Sequence, residues 1–230
     1  MVEYTENMAK LEFRGKNYEY KLHEMPEEFF RWQIDNRLKG LKIFLGEEKG
    51  MPNFSPHTVV MNTPEYENEF CINSCIKGLG LVPRSDKIRE LGERAMELIR
   101  KSYDIGADRT FRERVGMLVE LYSNPETFDR SILSSMEMYK KRTYKNVLED
   151  PRANLLFYDN QTGYSVMFSV ICEFVPRGDD YYTYVSAIHD LFHLPKDPSI
   201  KTDRYDFAYR FHLVEAFEKT PGPRASTRIY

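Results

Sequence analysis

The chain has 230 residues and a mass of 27.3 kDa, enough to bury a core without disulfides or metal. Its 41% hydrophobic and 30% charged residues describe a soluble globular protein, with no run near the ~18 apolar residues of a membrane span and no apolar stretch of a secretory signal near the N-terminus. A net charge of −3 and a pI near 6.0 exclude the basic field of a general nucleic-acid binder, and three cysteines point to a reducing compartment, the cytoplasm, rather than a disulfide framework.

From the N-terminus, Leu11-Glu12-Phe13 and Tyr18-Glu19-Tyr20-Lys21-Leu22 alternate on either side of Gly15 and read as a hairpin. Pro26 with Glu27 and Glu28 opens a helix through Phe30, Ile34 and Leu38; Gly40 ends it, and Leu41 to Leu45 reads as strand. After the turn-rich Gly50 to Pro56, His57 to Met61 is a short strand. A mostly helical section then fills residues 69 to 149. Ser85 caps a helix with the stripe Ile88, Leu91, Ala95, Leu98 and Ile99, and Thr110 to Glu113 has the form of a capping box for a second. Asn124-Pro125 opens a third helix through Phe128, Ile132, Met136 and Tyr139, and a short fourth stops before Pro151.

Pro151 to Phe174 is the plainest feature: two aromatic and β-branched runs joined by Asp159-Asn160-Gln161-Thr162-Gly163, a β-hairpin. Tyr181 to Leu194 is rich in strand formers, and Tyr205, Phe207, Tyr209, Phe211 and Leu213 alternate with polar or small residues as a strand does. Residues 220 to 230 read as an exposed tail. The whole is one α+β domain over residues 1 to 230: an antiparallel sheet or small barrel, made of N- and C-terminal strands, with a helical insertion.

Candidate chemistry is sparse. His189 and His193 stand four apart; on a helix they share one face and could hold an ion, whereas on a strand they lie roughly 13 Å apart. The surrounding tyrosines favour strand, and a metalloprotease signature has Glu where this chain has Asp190, so ordinary sheet histidines are the plainer reading. Cys71 and Cys75, with Cys172 the only other thiol, read as small buried apolar residues. Lys140-Lys141-Arg142 with Lys145 reads first as a solvated helix end, although beside Thr143 and Asn146 it carries the donors a phosphate needs. Gly78-Leu79-Gly80 is followed by Pro83, which does not support a dinucleotide fingerprint.

Two stretches carry a resemblance. Gly50-Met51-Pro52-Asn53-Phe54-Ser55-Pro56-His57-Thr58-Val59-Val60, and the passage from Arg142-Thr143-Tyr144-Lys145-Asn146 through Pro151-Arg152 to Phe157, resemble two motifs of the FMN-binding split-barrel, pyridoxamine-phosphate-oxidase-like group. The resemblance implies a small antiparallel barrel, a homodimer and FMN at the subunit interface. It places Arg142 and Thr143 at the flavin phosphate, with Asn146 beside them, and Asn53 and Ser55 near the ring system. Some eighty residues separate the two motifs here, where the group has a few strands. A flavin-binding protein, with oxidoreductase chemistry as one option, is the leading expectation. The other readings are a non-catalytic small-molecule-binding or oligomeric protein with an aromatic cleft, and a metal-dependent hydrolase using His189 and His193.

Overall fold

In the computed structural model, which describes residues 2–5, 7–194 and 204–230, the chain opens with three short antiparallel strands, β1 (Val2–Thr5), β2 (Met8–Phe13) and β3 (Lys16–Lys21). The last two are the expected hairpin. Helix α1 (Glu27–Leu45) follows and buries Phe29, Phe30, Ile34 and Leu41. It runs straight through Gly40, where a strand was expected beyond, and stops at Gly46, whose φ of 78° provides the left-handed cap. Buried Gly40 lies against Pro52, so that glycine marks a packed face and not a helix end.

The main sheet has seven strands in the order β5-β4-β8-β9-β10-β7-β6, every neighbouring pair antiparallel. They are β4 (Thr58–Pro64), β5 (Ile72–Gly78), β6 (Gly80–Pro83), β7 (Phe128–Glu137), β8 (Arg152–Tyr158), β9 (Ser165–Pro176) and β10 (Phe207–Glu218). The hairpin β8–β9 and the alternating β10 form as expected. Edge strands β5 and β6 are joined through Leu79 alone, so the chain passes directly from one edge of the sheet to the other and the sheet must curl until its edges meet. The fold is α+β with a curled antiparallel sheet.

Helices α2 (Ser85–Ile105), α3 (Ala107–Tyr122), α4 (Arg142–Glu149) and α5 (Asp180–Phe192) complete the architecture. Four expectations are corrected here. Residues 69 to 149 contain three strands as well as helices. The third expected helix is β7: Phe128, Ile132 and Met136 are four apart, a spacing that also keeps one face of a strand, and backbone pairing with β10 and β6 decides the matter. Helix α3 begins at Ala107, not at a capping box, and the Thr110 hydroxyl bonds back to the carbonyls of Gly106 and Ala107. Residues Tyr181 to Leu191 are helical because Asp179 accepts the Tyr181 N–H as an N-cap and because α5 is buried between α2 and the sheet. Tyr181 donates to the Leu133 and Tyr209 carbonyls, and Tyr184 to that of Leu81.

Phe29, Phe157 and Phe168 meet edge to face at the centre of the core. The β1–β3 sheet covers the opposite face of β9 and β10 through Ala9, Ile171 and Val214, with Tyr4 stacked on His212. The stretch after β10 is exposed from 221 to 229, yet Ile229 donates to the Ala216 carbonyl and Tyr230 stacks on His23. Of the three cysteines only Cys172 is buried; Cys71 is exposed and Cys75 partly so, against the expectation of buried thiols. Among the described residues no helix is long and apolar enough to cross a membrane.

Candidate functional site

Where the two edges of the curled sheet meet, a cavity of about 570 Å³ opens between β4, β5, β7, α1 and α5. Its walls are mainly apolar and aromatic, with Leu41, Phe44, Phe54, Tyr122, Ile188 and Phe192 among the lining residues. The Gly78-Leu79-Gly80 corner explains its glycines. A Cβ on Gly78 would lie 2.9 Å from His57 Nε2, and one on Gly80 would lie 2.9 Å from the Ser134 hydroxyl. These glycines serve close packing at the corner where β5 hands over to β6.

One end of the cavity lies at the start of α4. Lys141, Thr143 and Tyr144 line it, and no side chain caps the helix, so its first N–H groups point toward this end without a side-chain partner. Thr143 Oγ1 accepts from Asn73 Nδ2 at 3.0 Å, and buried Asn146 donates to Thr63 Oγ1 at 3.1 Å, which pins α4 across the far ends of β4 and β5. Arg142 turns the other way and forms a bidentate pair with Glu65, each holding the other in its charged form. Lys141 has no carboxylate partner among the described residues.

The other end lies at the start of β4 and the C-terminus of α5, where His57, His189 and His193 line the wall. Thr58 and Thr63 bracket β4, so the two ends stand roughly 16 Å apart at about 3.3 Å per residue. His57 Nδ1 donates to the Leu79 carbonyl at 3.0 Å, which leaves Nε2 as an acceptor. Burial, with the charge of Arg37 nearby, pushes the His57 pKa down to about 3, and burial beside His189 also lowers that of His193. The His57 ring is neutral at pH 7.

Between the ends, Lys77 on β5 and Glu137 on β7 form a buried pair at 2.9 Å. Glu137 also accepts from the Tyr209 hydroxyl at 2.6 Å and from the backbone N–H groups of Tyr139 and Lys140. Burial alone would raise this carboxyl; Tyr209 and Lys77 outweigh it and hold the pKa below the usual carboxylate range. The pair clasps the two edge regions of the sheet together.

Of the residues singled out in the sequence, Asn53 and Thr143 line the cavity; Ser55, Arg142 and Asn146 do not. Asn53 donates to Asp159 Oδ1 at 3.0 Å, tying its loop to the β8–β9 turn, and its own carbonyl oxygen accepts the Ser55 N–H. The Ser55 hydroxyl faces Asn160. His57, Lys77 and Glu137 went unremarked. His57 stood inside the first motif, but nothing local separated Lys77 and Glu137 from surface charges, because their meeting depends on curling of the sheet.

No family model matches the chain, and no curated protein matches it. Among solved structures it is similar to HupZ from Group A Streptococcus, at 11% identity over 87% of this chain and 99% of that one, with a TM-score of 0.47. It is similar to a pyridoxamine 5′-phosphate oxidase-related, FMN-binding protein from Nostoc punctiforme, at 6% identity over 88% of this chain and 89% of the other, TM-score 0.44. The heme storage protein HutZ from Vibrio cholerae is also similar, at 8% identity over 70% of this chain and 85% of that one, TM-score 0.37.

Proposed function

We propose that the protein binds a flavin nucleotide, FMN, in this cavity. The observation that carries the reading is the cavity itself: a long apolar and aromatic space whose α4 end offers Lys141, the Thr143 hydroxyl and uncapped helix N–H groups. This donor set fits a phosphate, and the aromatic walls fit a planar ring system. Arg142, its guanidinium largely exposed, stands at the same helix start and joins the phosphate by leaving Glu65. Asn53 lies on the wall where its loop meets the β8–β9 turn, with Ser55 and Asn146 holding the loop and the helix in place. A bound flavin supplies hydride and electron transfer. The chain's own part is to hold the phosphate, orient the ring and keep water from it.

A second copy of the chain is proposed to cover the open side. Phe54, Ile76 and Tyr139 line the cavity and are also exposed, at 54%, 65% and 71%, and β5 is an edge strand. The test is the visible spectrum of freshly purified protein, repeated after addition of FMN and desalting, with affinity followed by quenching of flavin fluorescence. Lys141→Ala and Arg142→Ala are each expected to weaken FMN binding roughly ten- to a hundredfold, the equivalent of about 1.5–3 kcal/mol for a charged hydrogen bond. A colourless protein that retains no FMN overturns the reading, and a Soret band in place of a flavin spectrum would move it to heme.

A further inference from the structure

We propose that His57, His189 and His193 form a binding site for a divalent first-row transition-metal ion at the α5 end of the cavity. The condition that decides the matter is secondary structure, and α5 is a helix: His189 and His193, four residues apart, lie on one face with ring centroids 5.1 Å apart. The third ring comes from a distant part of the chain. His57, at the entrance to β4, stands with its centroid 6.3 Å from that of His193. An ion about 2.0–2.1 Å from each nitrogen puts two ligating ring centroids roughly 5–6 Å apart, so His189 and His193 have the spacing of a shared ion and the His57 ring lies just beyond it.

The hydrogen bonds behind the rings make the same case. His57 Nδ1–H is held by the Leu79 carbonyl at 3.0 Å, and His189 Nδ1–H by Asp190 Oδ1 at 2.8 Å. A backbone carbonyl and a carboxylate are the two partners that metal-bound imidazoles habitually use, because they fix the tautomer and leave Nε2 as the donor atom. These partners are themselves fixed. Arg37 donates to the same Leu79 oxygen, and Arg204 donates to both oxygens of buried Asp190 at 2.8 and 3.1 Å. Gly78 leaves His57 Nε2 uncovered where any Cβ would sit against it.

Among the described residues no three such side chains are already closed around one point, so binding is coupled to rotation of the rings. His193 is the ring that moves. It is exposed, stands at the C-cap of α5, and its ring makes no hydrogen bond to another described residue. Three imidazole nitrogens suit Zn²⁺, Co²⁺, Ni²⁺ or Cu²⁺ rather than Mg²⁺ or Ca²⁺. Phe192, beside His193, packs edge to face on Phe44, which in turn meets Phe54.

The experiment is a titration of chelator-treated, tag-free full-length protein with Co²⁺, read by the visible bands of the bound ion, and with Zn²⁺ by calorimetry, in the absence of flavin. Binding of one ion per chain is expected. His189→Ala and His193→Ala are each expected to weaken it by more than the roughly tenfold that loss of an outer partner costs. His57→Ala is the third arm, with thermal unfolding of the metal-free variants as the check on folding. No binding by the parent protein, or binding unchanged in both the His189 and the His193 variants, overturns the proposal. Because flavin is left out, failure here is distinct from failure of FMN to bind.

Discussion

At the α4 end of the cavity Lys141 and Arg142 stand in water, whereas at the α5 end His57 is stripped of it. Lys141 and Arg142 are exposed and can meet an incoming anion, while Glu65, the present partner of Arg142, is mostly covered. His57 is held neutral by desolvation and by one hydrogen bond to the chain's own backbone. The difference teaches that one end is suited to charge complementarity and the other to lone-pair donation. The Lys77–Glu137 clasp between them keeps both ends on one curled sheet.

The largest expected effect comes from breaking that clasp. Lys77→Met leaves Glu137 buried without its cation, and a loss of about 3–5 kcal/mol is expected in urea unfolding. The double variant Lys77→Met, Glu137→Met is expected to lose less; a single variant within about 1 kcal/mol of the parent would show that edge closure does not depend on this pair.

A smaller effect separates two glycines. Gly78→Ala pushes a methyl against His57 Nε2 and is expected to cost about 1–3 kcal/mol while displacing the ring at the α5 end. Gly116 on α3 meets nothing within 4 Å, so Gly116→Ala is expected to stabilise by up to about 1 kcal/mol. Equal responses of the two in thermal unfolding would remove the argument that Gly78 makes room for the histidine.

The smallest effect is one of pH. The His57 pKa is about 3 in the fold and near 6.5 when unfolded, so between these values the unfolded chain binds more protons. Stability is therefore expected to fall as pH is lowered from 6.5 to 5, by less than about 1.4 kcal/mol per pH unit for this group. His57→Gln should flatten that part of the curve, measured by melting temperature before the carboxylates begin to titrate. An identical slope in parent and variant would place the solvent-stripped histidine elsewhere.

The β8–β9 hairpin, β10 and α2 were legible because each carries its own period and, for the hairpin, its partner lies next in sequence. Strand β7 was read as helix because a four-residue apolar spacing serves both structures, and its partners, β10 and β6, are remote in sequence. Helix α5 was read as strand from its tyrosines. Burial reversed that local preference: Gly92 on α2 approaches the Tyr184 backbone so closely that an added Cβ would lie 3.3 Å away, and the tyrosine hydroxyls find carbonyls of the sheet. Of the candidate site, Asn53 and Thr143 were reached through motifs, but the facing of Arg142 toward Glu65 was not readable.

By itself the sequence determined the α+β class, the central hairpin, the long amphipathic helices and the two stretches around Asn53 and Thr143, because these depend on neighbours within a few residues. The tertiary structure alone decided that β5 and β6 are opposite edges joined through Leu79, that Lys77 meets Glu137, and that His57 faces His193. These contacts join parts of the chain that no local period links, and they form only when a whole sheet curls to bury its face.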